Sequence, residues 1–102
     1  MLEIEQSEKD NIITFKLNGT LDADTVSKFN EAIDTISDVE DGVDVDCTKL
    51  SGISGAGFEA ISRLTKMVRA FRKECRITNV SENVYYLFNI TGLTETLRIE
   101  KA

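Results

Sequence analysis

With 102 residues, the chain is long enough for one domain and short for two, so we predict a single domain over residues 1–102. Hydrophobic residues make up 41% of it, enough for a packed core, and the absence of histidine excludes histidine-based catalytic triads and histidine-containing zinc sites. The net charge of −6 disfavours nucleic acid as a partner, since a phosphate backbone requires a basic surface.

The first part of the chain predicts a hairpin followed by a helix. Residues 2–6 and 12–17 alternate apolar and polar side chains, as half-buried strands do, and the polar residues between them predict a turn. Gly19 is expected to end the second strand, and Asp22 or Asp24 to serve as the N-cap of the first helix. The helix is predicted from an apolar stripe at helical spacing: Val26, Phe29, Ile33 and Ile36.

The rest of the chain predicts alternating strands and helices. The predicted elements are a strand at 43–47, a long helix at about 56–73, a strand at 75–80, a short helix at 82–91 and a last strand at 96–100. The apolar stripe of the long helix comprises Phe58, Ile61, Leu64, Val68 and Phe71. Ser81 is expected to cap the short helix, and Gly92 to end it in the left-handed conformation with a hydrophobic contact from Leu93.

The resulting order, ββαβαβαβ, predicts an α/β fold with a mixed sheet of about five strands. Helices that connect strands favour parallel pairing, whereas the first hairpin is antiparallel. Strands covered on both faces are usually apolar throughout, but these alternate. We therefore expect the helices mainly on one face of the sheet and a largely polar surface on the other.

The two cysteines and the N-terminus bear on compartment. Cys47 and Cys75 are too far apart in sequence for a zinc knuckle or a CxxC redox pair, so buried free thiols are expected. The opening MLEIEQSEKDNIITF lacks the basic residues of a signal peptide, and no apolar run approaches about 18 residues. We expect a cytoplasmic protein that does not insert into a membrane.

The segment LSGISGAGFEAI, residues 50–61, is unusually rich in glycine and serine. It matches the dinucleotide fingerprint GxGxxA only in its weakest form, and it lacks the lysine of a P-loop. A GxSxG nucleophile elbow would require glycine at Ala56, and no histidine is present to activate Ser54. Ser54 as a helix N-cap explains the local structure but not the three glycines. With no catalytic or metal-ligating constellation, we expect neither an enzyme nor a cofactor.

The residues DCTKLSGISGAGFEAISRL resemble a segment of STAS domains, in particular of bacterial anti-sigma factor antagonists. In that family a strand and an apolar dipeptide lead into Asp-Ser-Ser-Gly-Leu or Ser-Ser-Ala-Gly-Leu at the start of a long second helix. GTLDADT is similar to the family's entry to its first helix, and NVSENVYYLFNITGL resembles its late Thr-Gly-Leu run. The resemblance covers nearly the whole chain and implies the STAS-type mixed sheet.

The resemblance also implies a function. Such domains bind a partner, typically an anti-sigma factor that is also a serine kinase of the GHKL type, and so release a sigma factor. The partner phosphorylates one serine at the start of the second helix, and a PP2C-like phosphatase removes the phosphate. With Gly57 and Phe58 aligned to the family's Gly-Leu pair, that position is Gly55 here, which cannot accept phosphate. The resemblance therefore implies an unswitched binder. The other interpretation is a switch with a displaced acceptor, Ser54 or Ser51. A cytoplasmic subunit of a bacterial membrane transport complex is the alternative.

The same resemblance places the partner-binding surface where residues 20–24 and 52–58 meet. The expected contact residues are Asp22, Gly52, Ser54, Gly55, Ala56 and Gly57. Without side chains at the three glycines, a partner's backbone can approach closely. One of the adjacent Tyr85 and Tyr86 is a further candidate contact, because both cannot face the core.

Charge is unevenly distributed along the chain. Residues 1–62 carry 14 acidic and 4 basic side chains, a net −10, whereas residues 63–102 carry 4 acidic and 8 basic ones, a net +4. The cations of the long helix, Arg63, Lys66, Arg69 and Arg72, form a basic ridge. A solvated helix face is the simpler explanation of the ridge, and an acidic partner surface is the other. The sequence leaves open whether the protein forms a homodimer through the polar face of its sheet.

Overall fold

The structure, a computed structural model, describes residues 1–102 and confirms the predicted ββαβαβαβ order. The strands are β1 (Leu2–Lys9), β2 (Ile12–Leu21), β3 (Gly42–Ile53), β4 (Glu74–Val80) and β5 (Arg98–Lys101). The helices are α1 (Val26–Asp34), α2 (Gly55–Ala70) and α3 (Glu82–Ile90), followed by a short 3-10 helix at Leu93–Glu95. No helix has the length and apolar character needed to cross a membrane.

The five strands form one sheet in the order β1-β2-β3-β4-β5. β1 is antiparallel to β2, and the other neighbours are parallel, as predicted. Lys9 lies opposite Ile12, so the hairpin turn is only Asp10 and Asn11, both with positive φ (54° and 66°) as in a type I′ turn. The longer turn predicted there is wrong, because β1 continues through Lys9.

The core lies between the sheet and the helices, on one face, and contains 23 buried hydrophobic residues. Phe15 and Phe29 stack edge to face with ring centroids 5.9 Å apart, and Phe58 and Phe88 do so at 5.0 Å. The opposite face is polar, with Asp44 and Arg76 directly opposite each other on β3 and β4. The predicted one-sided arrangement of helices is confirmed.

β2 and β3 extend further than predicted. β2 continues through Gly19 to Leu21, and β3 continues from the predicted end at Cys47 to Ile53. Two register shifts in the β2–β3 pairing give β3 extra residues relative to β2, so its buried residues change from every second to every third position. This irregular spacing concealed the strand. Beyond the pairing of Asp46 with Thr78, β3 pairs only with β2, and the two strands form a projection.

The helices begin and end near the predicted positions. α2 is shorter than predicted because Arg72 adopts a left-handed φ of 60°, which leaves Phe71 outside the helix and 38% exposed rather than in the buried stripe. Two predictions about α3 are confirmed: the hydroxyl of Ser81 accepts from the amide of Val84, and Gly92 has a left-handed φ of 77°.

Candidate functional site

The two segments predicted to form the binding tip do meet. Asp22 and Ser54 follow directly after the neighbouring parallel strands β2 and β3, at the end of the projection. The amide of Ser54 donates to the carbonyl of Leu21 at 3.0 Å, which joins the two chain segments where they leave the sheet. We call the surface formed by residues 20–24 and 52–56 the docking tip.

Asp22 holds one side of the docking tip in place. Its Oδ1 accepts from the amides of Asp24 (3.0 Å) and Thr25 (3.2 Å). The hydroxyl of Thr25 accepts from the Asp22 amide at 3.0 Å and donates to the carbonyl of Thr20 at 2.8 Å. The N-cap of α1 is Thr25 rather than the predicted Asp22 or Asp24, because Asp22 uses its carboxylate in the turn before the helix. The role of Thr25 in this turn was not predicted from the sequence.

Ser54 is the N-cap of α2 by position but does not cap it with its side chain. Its backbone is extended (φ −117°, ψ −178°), and its carbonyl accepts from the amide of Phe58 at 3.0 Å. The predicted capping bond, in which its hydroxyl would accept from a helix amide, is absent. The Ser54 hydroxyl, in a half-buried residue, is therefore free to bond elsewhere. By contrast, the Ser51 hydroxyl donates to the carbonyl of Gly19 at 3.0 Å.

The three glycines of the segment have different surroundings. Gly55 is exposed, and a Cβ atom there would meet nothing within 4 Å. Gly52 is half-buried beside Thr20, and a Cβ there would make only ordinary contact. Gly57 is buried, and its Cβ would lie 2.7 Å from both the carbonyl oxygen of Leu21 and Cγ1 of Ile53. The explanation of Gly57 as a point of partner approach is therefore wrong, since its missing side chain lets α2 pack on β2.

The docking tip is consequently a surface of small side chains beside the positive end of a helix. Gly55 is exposed, Ala56 is half-buried, and the first turn of α2 contains no acidic residue. The first backbone amides of a helix have no partner within the helix, so this end carries a partial positive charge. A surface of this kind suits close contact with an acceptor-rich partner.

Two cations of the basic ridge bind other parts of the same chain. Arg63 binds α1 through the carboxylate of Asp34 (3.2 Å) and the side-chain oxygen of Asn30 (2.9 Å). Arg69 donates to the carbonyl of Thr96 at 2.7 Å. Neither contact was predicted, because both partners are distant in sequence.

Of the adjacent tyrosines, Tyr86 faces outward and is 63% exposed. Tyr85 is half-buried, and the ammonium of Lys101 lies 4.7 Å from its ring centroid. The expectation that both cannot face the core is confirmed.

Burial and local hydrogen bonds explain the shifted pKa values of three groups outside the docking tip, Cys47, Cys75 and Asp46. Burial raises the pKa of Cys47 to about 12 and that of Cys75 to about 11, and both thiols are free, as predicted. Burial alone would also raise the pKa of Asp46, but hydrogen bonds from Thr48 and Asn79 and the nearby Lys16 outweigh it. The pKa of Asp46 is therefore held below its ordinary value.

Fold and site together define a small α/β domain with an exposed tip of small side chains at the start of its longest helix. The chain belongs to the STAS domain family, whose sequence profile matches residues 3–102. It is 29% identical to an anti-sigma-B factor antagonist of Listeria monocytogenes over 97% of the chain and 87% of that protein. The resemblance inferred from the sequence motifs is thus confirmed.

Solved structures show the same fold. An anti-sigma factor antagonist from Mycobacterium paratuberculosis superposes with a TM-score of 0.88 at 13% identity, covering 100% of this chain and 87% of that one. A sulfate transporter family protein from Wolinella succinogenes gives a TM-score of 0.79 at 15% identity, covering 92% and 80%. At such identities the likeness extends to the fold alone.

Proposed function

We propose that this protein is an anti-sigma factor antagonist: a non-catalytic, cytoplasmic domain that binds an anti-sigma factor of the GHKL serine kinase type and so releases a sigma factor. The observation that carries the proposal is the 29% identity to the Listeria antagonist along 97% of the chain. The cytoplasmic location follows from the proposed role, because a sigma factor acts at the transcription machinery.

The proposed contact surface is the docking tip, with Asp22, Gly52, Ser54, Gly55 and Ala56. Gly57 contributes indirectly, because its packing against Leu21 positions the first turn of α2. The absence of side chains at Gly55 and Gly52 allows a partner to approach the backbone. Asp22 uses one carboxylate oxygen, Oδ1, to hold its own turn.

The proposed antagonist is not switched at the family position. A phosphoserine adds about −1.5 to −2 charges and strong acceptor oxygens, which would repel an acceptor-rich partner surface at this helix end. Gly55 stands where the family carries its acceptor serine, so this charge cannot be added there. We therefore expect binding to be controlled by abundance or by the state of the partner.

The test is to incubate the protein with the GHKL-type anti-sigma factor of the same bacterium, with and without ATP. Complex formation is measured by isothermal titration calorimetry and modification by mass spectrometry. The wild type is expected to bind equally in both conditions and to take up no phosphate. Gly55→Ser is expected to bind without ATP, to be phosphorylated with ATP, and then to lose affinity.

Matched controls separate the alternatives. If the wild type is phosphorylated and Ser54→Ala abolishes the modification while Ser51→Ala does not, the acceptor is displaced and constitutive binding is wrong. If no anti-sigma factor binds and the protein co-purifies with subunits of a membrane transporter, the transport alternative replaces the proposal. The fold does not decide between them, because the Wolinella transporter family protein shares it.

A further inference from the structure

The edge of the sheet opposite the docking tip brings oppositely charged segments together. Ile12, Gly42 and Glu74 lie in register across β2, β3 and β4, near the starts of these strands. The hairpin turn, the loop before β3 and the residues before β4 therefore lie together at the end of the sheet where its parallel strands begin. We call this end the amino edge. Neighbouring strands are about 4.8 Å apart, so these segments are close.

One half of the amino edge is acidic. Its carboxylates all belong to exposed residues, and none forms an ion pair. The acidic cluster consists of Glu8, Asp10, Asp38, Glu40 and Asp41. A shallow groove between the hairpin and the segment after α1 adjoins it, with Ile13 and Ile36 among its lining residues and Glu8 and Asp38 beside them.

The other half is basic and lies where α2 ends. Its cations are exposed, and none pairs with a carboxylate. The basic cluster consists of Lys66, Arg69, Arg72 and Lys73. Phe71 stands among them, 38% exposed. The next residue, Glu74, does not neutralise the cluster because it pairs with Arg98.

The backbone at Arg72 indicates that this side chain has a use. Arg72 has a φ of 60°, in the left-handed region that glycine or asparagine usually occupies after a helix. Its amide donates to the carbonyl of Arg69 at 2.8 Å, so the turn is an ordinary helix ending that glycine would make without strain. Favourable interaction of a cation with the helix dipole does not explain an arginine at position 72, because Arg69 already supplies a cation in the last turn.

We propose that a second copy of this chain covers the amino edge. The acidic cluster and groove of one protomer face the basic cluster and Phe71 of the other. Because both halves lie on the same edge, a twofold axis satisfies both contacts at once and closes the assembly as a dimer. The open face of the sheet is a poorer candidate for the dimer interface, since its Arg76 and Arg98 already pair with carboxylates of the same chain.

The dimer is expected to be weak and salt-sensitive. The chain measures 31 × 27 × 21 Å, so one edge falls at the low end of the roughly 800 Å² per partner that stable interfaces bury. Exposed charge pairs are screened at physiological ionic strength. The two docking tips would point away from each other, so the dimer is bivalent. This inference is independent of the proposed function.

Sedimentation equilibrium at increasing protein concentration tests the dimer. The mass is expected to rise from 11.4 kDa to a plateau at twice that value at low salt, and to fall back with added salt. A mass that stays at the monomer value overturns the proposal. A mass that grows beyond the dimer also overturns it, because an open head-to-tail contact forms chains.

Two charge-reversal variants test the pairing. Arg72→Glu with Lys73→Glu changes the charge of the basic cluster from +4 to 0, and Asp38→Lys with Glu40→Lys changes that of the acidic cluster from −5 to −1. Each variant alone is expected to associate at least about tenfold more weakly than the wild type, because the attraction between the facing clusters is largely lost at both contacts. An equimolar mixture is expected to restore the dimer. Unchanged association of either variant alone, or no recovery in the mixture, contradicts the twofold arrangement.

Arg72→Gly separates folding from association. It removes the strain at the left-handed position, so the melting temperature of the dilute protein is expected to rise while association weakens. Association that remains at the wild-type level would contradict a contribution of the Arg72 side chain to the dimer. Sedimentation with phosphatidylglycerol vesicles tests whether a membrane contacts the basic cluster instead of a second copy. If the wild type is monomeric and binds the vesicles, and the Arg72→Glu, Lys73→Glu variant does not, the dimer proposal is wrong and the basic cluster is a membrane contact.

Discussion

Replacing Gly57 by alanine tests the packing of α2 on the end of β2. The new methyl carbon would lie 2.7 Å from the carbonyl oxygen of Leu21 and 2.7 Å from Cγ1 of Ile53. Ile53 can adjust, but the Leu21 carbonyl cannot easily, because it accepts from the amide of Ser54 at 3.0 Å. Overpacking of this kind typically costs about 1–3 kcal/mol, and alanine regains up to about 1 kcal/mol of helix propensity. We expect Gly57→Ala to be about 1–2 kcal/mol less stable than the wild type.

Gly55→Ala is the matched control, because it adds the same methyl group one half-turn earlier. Nothing lies within 4 Å of a Cβ atom there, so only the helix propensity changes and stability is expected to stay level or rise by up to about 1 kcal/mol. Urea unfolding followed by circular dichroism measures both free energies, and each kcal/mol corresponds to about 4–8 °C in melting temperature for a domain near this size. A Gly57→Ala protein as stable as Gly55→Ala would refute the packing argument.

Two further predictions concern the helix caps and the acid sensitivity of the fold. Ser81→Ala is expected to lower the free energy of unfolding by about 1 kcal/mol because its hydroxyl accepts from the Val84 amide, whereas Ser54→Ala is expected to change it by less than about 0.5 kcal/mol. Equal effects in urea unfolding would contradict this difference. Because the pKa of Asp46 is lowered in the folded state, its contribution is full above the ordinary carboxyl pKa and lost as the pH falls through the folded value. Asp46→Asn should therefore flatten the acid side of the stability–pH curve, and an unchanged curve would show that other carboxylates dominate.

The periodicity of the sequence predicts most of this fold. Strict alternation at residues 12–17 and 43–47 located β2 and β3, and the helical spacing of Phe58, Ile61 and Leu64 located α2. The ends of the elements were less predictable. β3 could not be followed to Ile53, because the register shifts against β2 break the alternation that identifies a strand.

The docking tip was predicted in position but not in detail. The resemblance to STAS domains placed residues 20–24 beside 52–58, and the structure brings them together through the Leu21 carbonyl. The sequence could not distinguish Gly57, which is buried, from Gly55, which is exposed, because burial depends on an element distant along the chain. The free hydroxyl of Ser54 was not predicted either. A serine at an N-cap usually accepts a hydrogen bond from a helix amide, and Ser54 does not.

The projection formed by the ends of β2 and β3 has a mechanical consequence. Past the pairing of Asp46 with Thr78, β3 has lost its β4 neighbour, and bulges interrupt its ladder with β2. Distortion at such a place is absorbed locally, because few neighbouring hydrogen bonds have to break with it. We therefore expect this end of the sheet to deform more easily than the rest, while the aromatic pairs beneath the sheet keep their arrangement.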